Sequence, residues 1–283
     1  MKIPKYWAKR AQVVKHSSGD AYALVSWKWS DESIQDAQAQ ADARLRELVN
    51  KVMSGATLSS YEYGERPLRE QIVQDVRDAA GRENAVVTRN RYGALVLNTA
   101  NALFIDMDFA ENNAPISLSG AVQRLFGKRA NPADVALERI AAWSRRHPDL
   151  GLRVYRTAAG LRGLITNEQF SPAQNQAFDI LRELESDPLY MRLCRAQDCF
   201  RARLTPKPWR CNIKMPPAQY PFDDIKQELR FDEWTRRYEH ASSAYAVCAF
   251  VKHFGSVQIH PDIQPILALH DQMSGADTTR PLA

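Results

Sequence analysis

No apolar run in this chain approaches the ~18 residues that a membrane-spanning helix needs. The opening stretch, Met1-Lys2-Ile3-Pro4-Lys5-Tyr6-Trp7, also lacks the apolar core of a signal peptide. The expectation is a cytoplasmic protein that does not enter a membrane. Cysteine is sparse: Cys194, Cys199, Cys211 and Cys248 contain no C-x2-C pair, which argues against a structural zinc site and leaves buried or incidental thiols. His240, His253, His260 and His270 share no spacing that would build a metal cluster and read as surface or cap residues. Internal repeats and low-complexity segments are absent, which excludes a solenoid and a disordered tail. The net charge is only +5, too small to name a partner by itself.

What is present is a 283-residue chain with 45% hydrophobic and 25% charged residues, enough to bury a sizeable core. Arginine concentrates between residues 145 and 210, which points to an anionic partner, phosphate first.

The element pattern begins with an irregular start, then a strand over 21–29. A helix over 31–53 follows, with Ile34, Ala37, Ala41, Leu45, Leu48 and Val52 as its stripe. A turn-rich connection over 61–67 leads to a shorter helix over 68–79. The runs 85–89 and 94–98, separated by Asn90-Arg91-Tyr92-Gly93, read as a hairpin. Beyond a polar loop over 110–120 and a helix near Val122, Asn131-Pro132 opens a helix that ends at Arg146-His147-Pro148. A second hairpin spans 152–157 and 161–166. Ser171-Pro172-Ala173-Gln174 opens a helix through Leu184, and a strand over 199–205 precedes Pro206-Lys207-Pro208-Trp209. Helices are expected over 222–229, 232–254 and 261–273.

The stretch Phe104-Ile105-Asp106-Met107-Asp108 carries two acids two residues apart in a strand. Side chains alternate, so Asp106 and Asp108 share one face while Ile105 and Met107 share the other. Two carboxylates on one face repel unless donors or a cation lie between them, and such oxygens suit Mg²⁺ or Mn²⁺. The plainer alternative is a strand end whose acids cap a turn or pair with arginines.

From 102 to 205 the order is strand, helix, strand, strand, helix, strand. That is the succession of an α+β, ferredoxin/RRM-like βαββαβ sheet, with helices on one face and the other open. Assigning the apolar sets (Ile105 and Met107; Leu152 and Val154; Leu161 and Ile165; Phe200, Ala202 and Leu204) to the helix side puts Asp106, Asp108, Arg153, Tyr155, Arg162, Thr166, Arg201 and Arg203 on the open face. Carboxylates hold a divalent cation and arginines take phosphate oxygens in bidentate fashion, the parts that phosphoryl or nucleotidyl transfer requires.

The run Phe104-Ile105-Asp106-Met107-Asp108 resembles the hydrophobic-Asp-hydrophobic-Asp motif of the archaeo-eukaryotic primase (primase-polymerase) superfamily. Thr157-Ala158-Ala159-Gly160-Leu161-Arg162-Gly163 is similar to the small-residue turn of its second motif, and Phe200-Arg201-Ala202-Arg203-Leu204-Thr205-Pro206-Lys207 to its basic segment. The resemblance covers about residues 85–210. It implies a divergent member in which Asp106 and Asp108 ligate Mg²⁺ or Mn²⁺. It also implies that Asp198, by order along the chain, is the third carboxylate, and that Arg153, Tyr155, Arg162, Arg201, Arg203 and Lys207 contact nucleotide or phosphate. Nucleoside triphosphate, DNA or RNA would be the partners. One departure is plain: the family carries a histidine on the strand after the second-motif turn, where this chain has Leu164.

The organisation expected is therefore a strand-helix extension (1–84), a primase-polymerase-like core (85–211) and a helical cover (212–283). The competing reading is a non-catalytic module that binds single-stranded nucleic acid by stacking bases on the open sheet face. Trp209, between prolines and cations, is either a further stacking residue or an ordinary loop aromatic. Phosphatases with a D-x-D nucleophile and sugar-nucleotide transferases fit poorly, because neither βαβ alternation nor a Rossmann-like first half is present.

Overall fold

A computed structural model describes residues 1–15, 19–55, 68–78, 80–109 and 131–283. The expected connection over 61–67, the loop over 110–120 and the helix near Val122 lie outside these residues. Among the described residues the protein is a mixed α+β structure with six α-helices and three antiparallel sheets. No helix among them is long and apolar enough to cross a membrane.

The first sheet pairs β1 (Tyr6–Lys15) with β2 (Ala21–Ser30). Helix α1 (Ile34–Met53), capped by the Ser33 hydroxyl accepting from Asp36 N at 3.1 Å, lays Ala37, Ala41, Leu45 and Val52 on one face of this hairpin. The expectation of an irregular start thus gives way to a strand, paired antiparallel with the next one.

The second sheet has the order β3 (Gln71–Arg77), β4 (Glu83–Arg89), β5 (Leu95–Thr99), β9 (Phe200–Arg203). Residues 71–77 form a strand, not the expected helix. Register shifts beside Ile72 and Val76 break the two-residue alternation that would have betrayed it. The turn between β4 and β5 closes as expected. Gly93 there adopts φ 84°, and a Cβ would fall 2.1 Å from the Trp234 ring.

The third sheet holds the acidic strand: β10 (Cys248–Phe254), β7 (Leu152–Thr157), β8 (Gly160–Ile165), β6 (Phe104–Asp108). On one side it packs against α2 (Pro132–Arg146) and α3 (Asn175–Glu183). The core there contains Ile105, Met107, Leu152, Val154, Leu161, Ile165 and Phe200, as their parity required. Ala202 and Leu204 instead join the core on the opposite side. Residues 248–254, expected to continue a helix, form the edge strand β10. Helix α5 (Ile225–Ser242) ends before them, and α6 (Gln264–Ser274) follows.

Among the described residues the order is β6, α2, β7, β8, α3, a further helix and β9, and this last strand joins a different sheet. The free edge of β6 is already occupied. Asp187 N donates to Asp106 O at 2.7 Å, the Ser186 hydroxyl donates to the same oxygen at 2.9 Å, and the Tyr190 hydroxyl donates to Phe104 O at 2.9 Å. These groups belong to the start of α4 (Pro188–Gln197), a helix the sequence pattern did not reveal. The Tyr190 hydroxyl also accepts from Arg201 N at 3.3 Å, so it spans β6 and β9 where a ladder bond would otherwise run. With that edge satisfied, β9 completes its hydrogen bonds on β5.

The supposedly open face is covered. Phe104, Tyr155 and Leu164 share a core with Val87, Leu95 and Leu97 of the second sheet and Ile266 and Leu267 of α6. Apolar pairs such as Phe104 and Leu164 are too large a surface to leave in water, and the second sheet and α6 are what bury them.

Candidate functional site

Asp106 lies opposite Arg162 in the β6–β8 ladder, and Asp108 lies opposite Gly160. A Cβ on Gly160 would fall 1.9 Å from Met107 O, so glycine is what lets β8 approach the acidic strand here. Asp108 is exposed at the strand end; Asp106 is half-buried. Burial pushes the Asp106 carboxyl above the usual range, as do Asp108 and Asp187, while Arg162 and Arg203 oppose the shift. Among the described residues neither carboxylate makes an ion pair.

The cations around the pair are held differently from one another. Arg162 is only 4% exposed and its Nη1 donates to Arg203 O at 2.9 Å. The same nitrogen lies 3.1 Å from His270 Nε2. Arg203 has a buried Nε with no hydrogen-bond partner among the described residues. Burial lowers its pKa, as do Arg162 and Arg210, against the pull of Asp106 and Asp108. Lys207 is likewise lowered by burial, then by Arg203 and Arg210, with Asp108 and Asp106 opposing. Arg203, Lys207 and Arg210 make no ion pair among the described residues. A carboxylate pair and a set of unpaired cations therefore share one field, at the end of β6 that points out of the covered core.

The other expected site residues are elsewhere. Arg201 is locked to Glu70 by bonds of 2.8 and 2.7 Å and to Gln197 at 3.2 Å. Asp198 ends α4 in the left-handed conformation and pairs with the Met1 amine at 3.4 Å, away from Asp106 and Asp108. Arg153 pairs with Asp271 at 2.8 Å and stacks over Phe250 at 4.0 Å. Tyr155 is fully buried, accepts from Arg153 Nε at 2.9 Å and hydrogen bonds to Asp271. Parity had placed Arg153, Tyr155 and Arg201 on one face, but the second sheet and α6 divide that face into separate environments.

His270, expected at the surface, is 0% exposed. Its ring packs on Phe104 and Tyr155, and Nδ1 lies 2.9 Å from Asp271 Oδ1. Burial pushes its pKa down to about 4, so the ring is neutral: Nδ1 donates to Asp271 and Nε2 accepts from Arg162. Helical spacing offered a signal, since Ile263, Ile266, Leu267, His270 and Ser274 form one buried stripe of α6. Leu164 is fully buried in the same core as Phe104.

Among the described residues no group of three or more His, Cys, Asp or Glu side chains could hold a metal ion. Asp106 and Asp108 nonetheless fit a hard cation of the Mg²⁺ kind, which takes one or two protein carboxylates and fills its other positions with water and phosphate oxygens. Among the described residues both carboxylates are free of ion pairs, and burial disfavours the charge on Asp106 in spite of Arg162 and Arg203.

Comparison of the chain with protein-family models, with curated proteins and with solved structures found no match.

Proposed function

We propose that this protein carries out divalent-metal-dependent nucleotidyl transfer, or binds nucleotide or nucleic acid as a relative that has lost that chemistry, in the cytoplasm. The observation that carries the reading is the conjunction at the end of β6: Asp106 and Asp108, without ion-pair partners among the described residues, beside Arg203, Lys207 and Arg210, also without them there. Structural Asp–Arg clusters neutralise themselves, as Glu70 and Arg201 do; here the charges stay available for a ligand.

In this reading Asp106 and Asp108 hold Mg²⁺ or Mn²⁺. When bound, the ion supplies charge neutralisation on the phosphates and a more acidic attacking hydroxyl. Arg203 and Lys207 take phosphate oxygens, with Arg210 at the margin. Arg162, fixed by Arg203 O and His270, provides a constant positive potential beneath them. The succession of β6, α2, β7, β8, α3, α4 and β9 among the described residues supports the primase-polymerase relationship and its ferredoxin-like core, while the additional helix α4 and the pairing of β9 with β5 are departures from it. The competing idea of base stacking on the sheet face is not favoured, because Tyr155 and Phe104 are buried.

Calorimetric titration with Mn²⁺ and a nucleoside triphosphate tests the proposal. Binding of the triphosphate should require Mn²⁺, and Asp106→Asn with Asp108→Asn should abolish that requirement together with the Mn²⁺ heat. Metal binding unchanged in the double variant would refute the assignment.

A further inference from the structure

Where β9 leaves the covered core, an exposed ring meets a half-buried one. Tyr92, in the β4–β5 turn, and Trp209, in the short 3₁₀ turn Pro208–Cys211, pack edge to face with centroids 5.4 Å apart. Trp209 is 48% exposed. The Lys207 ammonium lies 5.5 Å from the Trp209 ring centroid, and the Arg91 guanidinium lies 4.7 Å from that of Tyr92.

The mounting beneath this ledge is stiff. Trp234 presses on Gly93 and stacks on Tyr238 at 5.0 Å with ring planes 7° apart. Tyr238 donates to Pro206 O at 2.5 Å and lies 2.8 Å from the Thr205 hydroxyl. An exposed tryptophan on a rigid base costs a protein solubility without adding to its core, whereas a fixed π-face beside cations suits a planar, anion-bearing ligand. Lys207 belongs to both places, because it interacts with Asp106 and Asp108 as well as with Trp209.

We infer that the Tyr92–Trp209 ledge is a base-stacking site for single-stranded nucleic acid, with the sugar-phosphate chain running past Lys207 and Arg210 toward Asp108. The inference rests on the proposed function for its direction and names the class of that site's substrate. A strand, as opposed to a free nucleotide, is indicated because cations without ion-pair partners among the described residues extend from Arg203 through Lys207 to Arg210. Stacking tolerates any base, so little sequence preference is expected.

The test uses the full chain in EDTA and a fluorescent oligothymidylate of roughly 12 nucleotides, within the range of single-strand site sizes. Trp209→Ala should weaken binding by about 5- to 150-fold, the range for loss of one stacked base, and Trp209→Phe should largely restore it. An abasic oligomer of equal length and inorganic polyphosphate should bind Trp209→Ala and wild type alike, since neither presents a base. Mn²⁺ binding by the wild-type chain, titrated separately, reports on the metal reading, so failure of that reading and failure of this one are separate results. Equal oligothymidylate affinity in wild type and Trp209→Ala would overturn the inference. So would an equal loss for polyphosphate, or no binding of the oligonucleotide at all. A thermal melt of each variant confirms the fold, which a half-exposed ring does little to support.

Discussion

Arg201 and Arg203 sit two residues apart on β9 and share a parity, yet they belong to opposite kinds of chemistry. Arg201 is surrounded by acceptors: both Glu70 oxygens, and Gln197. Glu70 in turn accepts from the buried Thr88 hydroxyl, whose neighbour is the Asn98 amide at 2.9 Å. Among the described residues Arg203 has a buried Nε without a partner, and the carboxylates whose charge it feels, Asp106 and Asp108, make no ion pair. The first arrangement is closed and holds two sheet edges together; the second is left unfinished in a way that a phosphate and a cation would complete. Charge pattern alone does not separate structural from functional arginines. Satisfaction does.

The largest contrast is in stability. Arg201→Ala leaves Glu70 buried and unpaired, and should cost about 3–5 kcal/mol in urea unfolding. Arg203→Ala removes an unsatisfied donor and should change stability by less than about 1 kcal/mol. Equal losses in the two variants would erase the distinction.

The closed character of the His270 network can be read from pH. In the fold His270 stays neutral until about pH 4, whereas the unfolded chain takes up the proton near 6.5. The stability it confers is complete above pH 6.5 and is lost as the pH falls toward 4, on the order of 3 kcal/mol. Burial is the main cause, and Arg162 and Arg153 add to it, while the bond to Asp271 opposes it. Asp271 is pushed up by burial but held below its usual range by its bonds to His270 and Tyr155, so it stays charged. Urea unfolding of His270→Gln should show a flatter profile between pH 4 and 6.5; an unchanged slope would place the titrating group elsewhere.

The open site should respond in the reverse sense. Asp106 has a raised pKa, so its fold is favoured at acid pH and loses stability as pH rises above the unfolded value of 3.8. In metal-free buffer at neutral pH, Asp106→Asn should therefore melt higher than wild type, while its Mn²⁺ affinity falls by about tenfold or more. A lower melting temperature would make Asp106 a structural partner of the arginines.

The smallest expected effect is on ligand affinity. Arg203→Ala should weaken an oligonucleotide a few-fold and lower the salt slope of log K by about 0.7, one phosphate contact on a single strand. Arg201→Ala, in whatever fraction remains folded, should leave that slope unchanged.

Local pattern carried a good deal of this. The faces of β6, β7 and β8, both central hairpins, α2, α3 and the acid pair follow from periodicity, caps and turn residues. These are short-range effects, and a strand with one face against helices has to turn its apolar set toward them. Bulges hid β3. Strand β10 was hidden too, because its apolar residues run on from the stripe of α5.

Pairing and cover were decided at long range. Which edge β9 would join depended on Ser186, Asp187 and Tyr190 reaching β6 first, a competition between segments some eighty residues apart in the chain. The six cations and acids that parity had collected on one sheet face were then divided by α6 and the second sheet. Burial left Tyr155 inside, Arg153 half-buried and Asp108 outside, and only their neighbours decided which charges found partners. Alternation along a strand is a property of the backbone and can be read from sequence. Whether a charged side chain is satisfied depends on groups brought to it by folding, and no local pattern encodes them.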